Sequence, residues 1–442
     1  MVIHMLSRFA GEYAIVLVLV ALCTFFSAAT WTETSDRGAA GGQSLAEDVA
    51  RRLPPGRFFV AVRDDADDVA FAEAVEHGLA SRGWTSAGIV RGHPVDAKQA
   101  LVKLDAAHTT LDAIVCTPET GSWPVFDDLG SKHPRLGAPQ VFVPQSYRWP
   151  KFLTVSNLLN IAHQISILAI LAIGMTLVII AGGIDLSVGS LMAFAAVLAT
   201  VLIRDVAGAE QATPFAMALC FLAAVAACAA VGFGVGVVVT WSDMPPFIAT
   251  LAVMMMASGL AFVLADNQSI YQVPASIDWL GRGADLGLPN VAVLMLILYG
   301  VAHLLLTRTV LGRYIYAVGG NREAARLSGV PVPRVLWFVY IVSAALAGLG
   351  GAIQASLLRS GSPTYGQNYE LYAIAAVVIG GTSLRGGEGN VFGTLLGALL
   401  IAVIQIGMNM INVNSNWQKV VFGAVMLTAV LVDCLKKRGA DR

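Results

Sequence analysis

Long apolar runs recur along most of the chain. A helix needs about 20 apolar residues to cross a membrane, so the pattern predicts ten candidate spans. They lie near residues 12–30, 160–181, 186–204, 214–240, 247–265, 290–307, 335–357, 371–383, 391–411 and 418–435. The first run is predicted to be an uncleaved anchor, and a cleaved signal peptide is the alternative. The run at 371–383 is short, which favours a broken helix or a continuation into the following glycine-rich stretch.

Between the first two apolar runs, short apolar stretches alternate with amphipathic ones. Strands are predicted at RFFVAV (57–62), SAGIV (86–90), LDAIVCTP (111–118) and PQVFVP (139–144), and helical segments at 67–82, 96–108 and 122–132. Alternating strands and helices are typical of a small parallel α/β unit. The segment contains no glycine-rich phosphate-binding motif, so a nucleotide site is not predicted there.

Composition separates the same two regions. The chain is 56% hydrophobic and 13% charged, whereas soluble domains are about 45–50% apolar and 25% charged. Residues 33–151 carry 29 of the 57 charged side chains, and the other 323 residues carry 28. We therefore predict an all-α polytopic membrane protein of about ten transmembrane helices with a small inserted α/β domain. The predicted parts are a first transmembrane helix in 1–31, the insert in 32–150 and a transmembrane domain in 151–442.

Charge also bears on partners and orientation. A net charge of -1 argues against nucleic-acid binding. With the N-terminus inside, the short cytoplasmic loops and termini carry eleven Lys and Arg residues, and the outer loops carry four. Because basic residues concentrate on the cytoplasmic side, both termini are predicted to be cytoplasmic and residues 32–150 extracytoplasmic.

The second predicted span contains an ionisable residue, in GMTLVIIAGGIDLSVGSLMAF (174–194). Ionisable residues at membrane depth are candidates for function. Asp185 is placed to cap a helix that begins at Leu186, and direct contact with a transported solute is the alternative.

A GGxxLxxG frame occurs twice, 198 residues apart, which suggests two related halves. It pairs Gly182, Gly183, Leu186 and Gly189 with Gly380, Gly381, Leu384 and Gly387. The predicted helix-break or translocation residues are Gly182, Gly183, Asp185, Ser187, Gly189, Gly380 and Gly381.

The predicted cytoplasmic loop 308–334 carries five arginines. Asn321 is placed to cap a short helix, REAARLS, which Gly329 and the following Pro331 would end. From the spacing alone, this helix either lies idle at the membrane surface or docks onto a partner.

Four segments together resemble the permease subunit of ribose/xylose/arabinose-type ATP-binding-cassette importers. They are GMTLVIIAGGIDLSVGS, PPFIATLAVMMMASGL (245–260), VGGNREAARLSGV and YAIAAVVIGGTSLRGGEGNVFGTLLGAL (372–399). The resemblance covers about 152–435 and the first span. The insert departs from the family, in which only a few residues usually join the first span to FLTVSNLLNI (152–161). It resembles part of one lobe of a periplasmic sugar-binding protein, and we interpret it as a docking or accessory module.

The resemblance implies a transport subunit of the bacterial inner membrane, with no enzymatic activity and a monosaccharide as the expected solute. It implies that GGNREAARLSG is a coupling loop that fits an ATPase subunit. The coupling residues would be Gly320, Asn321, Glu323, Ala324, Arg326 and Gly329. The implied partners are that ATPase, a periplasmic solute-binding protein and a second permease copy. ATP and Mg would be bound by the ATPase, and no cofactor or metal is expected on this chain.

Two other functions compete with this interpretation. A membrane receptor would pair the insert with a cytoplasmic output domain, but only about nine residues follow the last predicted span. An ion-coupled secondary transporter would need intramembrane acid or base groups, for which Asp185 and Glu370 are the candidates.

Overall fold

The computed structural model describes the backbone of residues 14–440 and the side chains of residues 15–428, 430 and 431. Contacts divide the chain into two units. The membrane unit comprises the residues up to Thr30 and from Phe152 onward, and the α/β unit comprises Trp31–Lys151. The predicted first span is helix α1 (Ala14–Ala29). Its predicted start at residue 12 and the preceding Arg8 lie outside the described residues.

The α/β unit contains six strands: β1 (Trp31–Thr34), β2 (Arg57–Val62), β3 (Thr85–Arg91), β4 (Ala113–Cys116), β5 (Gln140–Phe142) and β6 (Tyr147–Pro150). Four of them form a parallel sheet in the order β3-β2-β4-β5. Its helices are α2 (Gly38–Arg52), α3 (Ala66–Ala80), α4 (Pro94–Ala106), α5 (Pro118–Gly121) and α6 (Leu129–Lys132). The region predicted as helical over 122–132 contains only a 3-10 turn, Pro124–Phe126, and the short α6.

Alternate residues of the central strand face opposite layers of the unit. Phe58 and Val60 of β2 are buried with α2 and α3, whereas Phe59 and Ala61 are buried with α4. Apart from Arg57, the residues of β2 are buried on both faces of the sheet. Burial on both faces is characteristic of a parallel sheet covered by helices. The sheet therefore has two hydrophobic cores, one on each face.

Within each unit, the two chain segments that connect to the other unit contact each other. In the α/β unit, β1 and β6 pair antiparallel from Trp31 opposite Pro150 to Thr34 opposite Tyr147. In the membrane unit, the Phe152 N–H donates to Thr30 Oγ1 at 3.1 Å. The Phe152 ring stacks on Phe26 with centroids 5.9 Å apart. The chain therefore leaves and re-enters the membrane unit at neighbouring residues.

The rest of the membrane unit consists of helices joined by short connections. They are α7 (Val155–Ile180), α8 (Val188–Asp205), α9 (Pro214–Trp241), α10 (Pro246–Leu264), α11 (Trp279–Arg282), α12 (Asn290–Arg308), α13 (Val310–Gly320), α14 (Arg322–Leu327), α15 (Val332–Leu358), α16 (Tyr369–Ile379), α17 (Val391–Met410) and α18 (Ser415–Ala440). Helix α7 is the centre of the bundle, since 89% of its most apolar window is buried, against 28% for α10.

Among the described residues, seven helices are long and apolar enough to cross a membrane: α7, α8, α9, α10, α12, α15 and α17. The described part of α1 has 16 residues, and the residues before Ala14 lie outside the described range. Helix α16 has 11 residues and is shorter than a full crossing. The protein is therefore a polytopic helical membrane protein. The total of ten crossings stays a prediction. The short run at 371–383 does end early, because α16 stops at Ile379 before two glycines.

Candidate functional site

The predicted coupling helix is defined by a cap at each end. The Asn321 side chain accepts a hydrogen bond from the Ala324 N–H at 2.9 Å, so Asn321 is the N-cap of α14. At the other end, Gly329 has a φ of +84° and the Val330 N–H donates to the Ala325 carbonyl at 3.0 Å. This is the Schellman-type ending that favours glycine. The predicted cap and stop are confirmed, whereas the coupling role is not tested by this geometry.

Helix α14 exposes almost its whole surface. Ala325 is its only buried residue. Glu323 and Arg326 form an ion pair at 3.0 Å, and Leu327 is 82% exposed. Single exposed apolar side chains are normal on protein surfaces, so Leu327 by itself does not identify a docking site. Arg322 also lies 3.7 Å from Asp243, in the connection between α9 and α10.

Three backbone segments meet directly at the base of this helix. The Gly387 N–H donates to the Ile180 carbonyl at 2.8 Å. Gly319, at the end of α13, lies so close that an added Cβ would overlap the Ile180 oxygen. The Tyr316 hydroxyl donates to the Gly389 carbonyl at 2.7 Å. We call this set of contacts the junction. The junction was not predicted from the sequence, although glycine pairs at 319–320 and 386–387 are a signal of such close approach.

The two predicted glycine breaks have similar local geometry, in a frame shifted by one residue. Gly182 and Gly381 have φ of +82° and +86°. The residue after each donates back to its helix: Gly183 to Val178 at 2.9 Å, and Thr382 to Val377 at 3.1 Å. The structural equivalence is therefore Gly182 with Gly381, not Gly182 with Gly380 as the motif frame suggests. Gly380 instead packs against the backbone of Gly393.

Asp185 is a buried link between the first break and α15. Its Oδ1 accepts from the Ser187 N–H at 2.9 Å and from the Ser187 hydroxyl at 2.6 Å, and its Oδ2 accepts from the Ser343 hydroxyl at 2.8 Å. Helix α8 begins at Val188 with Ser187 as N-cap, not at Leu186. Asp185 thus closes a turn before the helix, and at 2% exposure it meets no open surface in this conformation.

The remaining predicted break residues lie at close backbone approaches. Gly189 is buried, and a Cβ there would overlap the Gly366 carbonyl and the Glu370 carboxylate. A Cβ on Gly183 would press on the Tyr340 hydroxyl. These glycines allow α8 and the following turn to pack closely, and none of the predicted set forms a catalytic constellation. Among the described residues, no group of three or more His, Cys, Asp or Glu side chains is arranged to hold a metal.

The α/β unit has a cleft at the carboxyl ends of its strands. Its volume is about 400 Å³, and Arg63, Asp65, His93 and Trp123 are among the residues that line it. Ligands of open parallel sheets bind at this edge. Here the nearest charges are already paired, because buried Asp68 accepts from the Arg63 N–H at 3.0 Å and from its Nε at 3.1 Å.

Comparison with known proteins decides the class of the membrane unit. A family model described as "Branched-chain amino acid transport system / permease component" matches residues 157–430, more than half of the chain. The chain belongs to this family of permeases. This match, together with the sugar permeases to which the chain is similar, confirms the resemblance to permeases of sugar importers. The protein is a transport component and not an enzyme.

Individual relatives agree with this assignment. The permease is 44% identical over 292 residues to the ribose import permease protein RbsC of Escherichia coli (strain K12), a match that covers 65% of this chain and 88% of the relative. It is 41% identical over 311 residues to RbsC of Bacillus subtilis (strain 168), covering 70% and 94%. It is 34% identical over 284 residues to the D-allose transport system permease protein AlsC of Escherichia coli (strain K12), covering 64% and 85%. No solved structure matches the chain.

Proposed function

We propose that this permease forms the translocation pathway of an importer for a small sugar, with a pentose or hexose as the solute. The observation that carries the proposal is the identity of 34–44% to permeases named for ribose and allose, over nearly the whole length of those relatives. The receptor and ion-coupled alternatives find no support in these relatives, which are importer subunits.

Helix α14 is proposed to dock into a separate ATPase subunit, on which ATP and Mg are bound. Its exposed Leu327 and its Glu323–Arg326 pair provide the contact surface. The junction then supplies a short mechanical route, because Gly319 at the end of α13 touches the turn that follows α7. Movement of α14 would reach the centre of the bundle through backbone contacts that have little freedom to slip.

The remaining partners and the orientation are part of the same proposal. A periplasmic binding protein would deliver the sugar, and two copies of the permease would enclose the pathway. Helices α9, α10 and α12 have mostly exposed apolar surfaces, which a second copy or lipid would cover. The termini would be cytoplasmic in an inner membrane, and the α/β unit, as an accessory module, would be extracytoplasmic.

Transport tests this function directly. We expect proteoliposomes that contain the permease, its ATPase and its binding protein to take up at least one of D-ribose, D-allose and D-galactose when ATP is supplied. Uptake of none of the three, in assemblies that hydrolyse ATP, would contradict the proposal.

Charge reversal tests the docking surface. Glu323→Arg places a cation beside Arg326 and should reduce co-purification of the ATPase and uptake at least tenfold. The control is Glu210→Arg, the same change on an exposed residue between α8 and α9, which should retain both. Equal behaviour of the two variants would reject α14 as the docking helix.

The α/β unit has its own tests. Protease added to the outer face should cleave between residues 60 and 140 in cells with an opened outer membrane, and cleavage only after the inner membrane is opened would overturn the orientation. A variant without residues 38–148 should still fold, because it keeps the Trp31–Pro150 and Thr32–Trp149 pairs of β1 and β6 and the contact of Thr30 with Phe152. If its uptake with binding protein matches the full chain, the unit has no part in delivering sugar.

A further inference from the structure

A non-helical segment, in which residues 363–368 form turns, runs alongside a membrane span. After α15, residues 361–368 follow α8: Gly361 packs against Thr200, and Gly366 packs against Gly189. These two contacts are 11 residues apart on α8, or about 16 Å at 1.5 Å per residue. Because α8 is one of the seven helices able to cross the membrane, the 361–368 segment lies within the depth of that span, and α16 begins part-way across.

Non-helical backbone at membrane depth is tolerated only where it is buried in protein or lines a water-filled cavity. The 361–368 segment lines a cavity of about 230 Å³, together with α8 and α10. Polar groups reach this cavity from all three walls: Ser190 from α8, Ser258 from α10, and Gln367, Asn368 and Glu370 from the segment and the start of α16. Such a concentration of polar groups is unusual in a bundle this apolar.

The cavity offers both acceptors and donors. Four ion pairs occur in the described part of the membrane unit, and none involves Glu370, so no described cation neutralises its carboxylate. In the same described region, the N–H groups of Gly366 and Gln367 donate no hydrogen bond to protein. A sugar hydroxyl can donate and accept at once, which suits this mixture. Met254, Met255 and Tyr365 supply apolar surface for the ring face.

We propose that this cavity is a station at which the transported solute contacts the permease, and that the solute it fits is a small neutral polyhydroxylated molecule such as a monosaccharide. The inference rests on the proposed function and adds the residues that would touch the solute. Discontinuous helices that place their ends at such cavities recur in membrane transporters. A single carboxylate without a described cation partner, with amides and hydroxyls around it, suits a neutral hydrogen-bonding solute better than a metal ion.

The first test measures sugar moved per ATP hydrolysed, with D-ribose, D-allose or D-galactose as the probe that wild type transports. Gln367→Ala and Glu370→Gln should each lower this ratio about threefold to tenfold. The first removes one hydrogen bond to the solute, and the second replaces a charged acceptor by a neutral amide that binds a hydroxyl more weakly. A purely structural role would instead lower transport and ATP hydrolysis together. Gln211→Ala, the same truncation on an exposed outer residue, should keep the wild-type ratio.

A second pair of variants separates the Asn368 side chain from its backbone. Asn368 has a φ of +67° and Asn412 a φ of +57°, so glycine fits both positions without strain. Asn368→Gly should lower the sugar-to-ATP ratio, whereas Asn412→Gly should not. If wild type transports sugar and Gln367→Ala, Asn368→Gly and Glu370→Gln all keep the wild-type ratio of sugar moved to ATP hydrolysed, the proposed station is overturned while the transport function stands.

Cysteine accessibility tests the cavity even if none of these sugars is transported, because Gln367→Cys should react with a charged, membrane-impermeant methanethiosulfonate. If one of the sugars is transported, that sugar at saturating concentration should slow the reaction. Leu222→Cys, at a 64% exposed position on α9, should stay unreactive, and wild type gives the background of the native cysteines. Absence of labelling at residue 367 in the intact assembly would overturn the proposal whatever the uptake result.

Discussion

Two regions of the molecule stabilise close contacts in different ways. One is the junction beneath α14, and the other is the group of hydrogen bonds among Arg63, Asp68 and Thr117 at the strand ends of the α/β unit, which we call the strand-end network. At the junction, backbone touches backbone, because Gly319 and Gly387 carry no side chain to separate them from Ile180. In the strand-end network, buried Asp68 is held by side-chain and backbone donors of Arg63. A charged pair can rearrange and exchange partners with water, whereas packed glycines cannot move without displacing what they touch.

The difference suggests why each device lies where it does. A contact that transmits movement to a membrane bundle benefits from rigidity and from the absence of charge, since unpaired charges are costly at membrane depth. The α/β unit pairs a buried carboxylate with a partly exposed cation, so water reaches Arg63 and moderates the cost and the strength of the pair. The comparison predicts that the membrane unit is sensitive to added atoms and that the α/β unit is sensitive to lost ones.

The largest effect is expected from one added methyl group. Gly319→Ala would overlap the Ile180 carbonyl and approach the Gly387 nitrogen, and overpacking of this kind costs about 1–3 kcal/mol. We expect at least a tenfold loss of ATP-driven sugar uptake and a lower midpoint of thermal unfolding in detergent.

Gly300→Ala is the matched control, because a Cβ on that helical glycine of α12 meets no heavy atom within 4 Å. It should be neutral in both measurements. If Gly319→Ala behaves like Gly300→Ala, the junction is loosely packed and the contrast with the strand-end network fails.

Removal of the buried carboxylate should have a smaller, local effect. Asp68→Ala leaves the Arg63 and Thr117 donors without their acceptor, which costs about 1–3 kcal/mol. Cys116 reports the opening of the unit, since it is fully buried and burial raises the pKa of its thiol to about 12. Its alkylation rate in the intact protein should therefore increase about tenfold or more.

The neighbouring Asp67→Ala is the control for that experiment. Asp67 is exposed in the first turn of α3, so its loss should cost no more than about 1 kcal/mol through the helix dipole. Equal alkylation rates in the two variants would mean that the Asp68 network does not hold the unit together.

Local signals in the sequence predicted local structure well. The alternation in RFFVAV gives β2 over Arg57–Val62, and Asn321 and Gly329 bound α14 as expected. The helix α2 was missed, because its first turns are rich in glycine and alanine and only Leu45 and Val49 mark its buried face.

Contacts between distant residues could not be predicted in the same way. The Asp185–Ser343 hydrogen bond spans 158 positions, and the contact of Gly387 with Ile180 spans more. Apolar composition looks the same on every face of a span, so neither the junction nor the depth of the 361–368 segment has a periodic signal. The shift of one residue between the two glycine breaks arose because matching letters in a motif do not encode which glycine takes the positive φ.

The smallest effect is expected at an ion pair of the membrane unit, between Asp278 and Arg359. Arg359 donates to Asp278, and this hydrogen bond lowers the pKa of the Asp278 carboxyl below its ordinary value. A carboxyl with a depressed pKa stabilises the fold above its unfolded pKa of about 3.9, and the contribution is lost as pH falls through the folded pKa.

Asp278→Asn should therefore unfold at a slightly lower temperature than wild type at pH 7, and the gap should close below about pH 4. Both side chains are partly exposed, so the gap should also shrink in high salt. Glu210→Gln removes a charge from an exposed residue between α8 and α9 and should show no such gap. A gap that is constant from pH 7 to pH 3 would mean that the amide disturbs packing rather than charge, and that side-chain pairing matters only in the α/β unit.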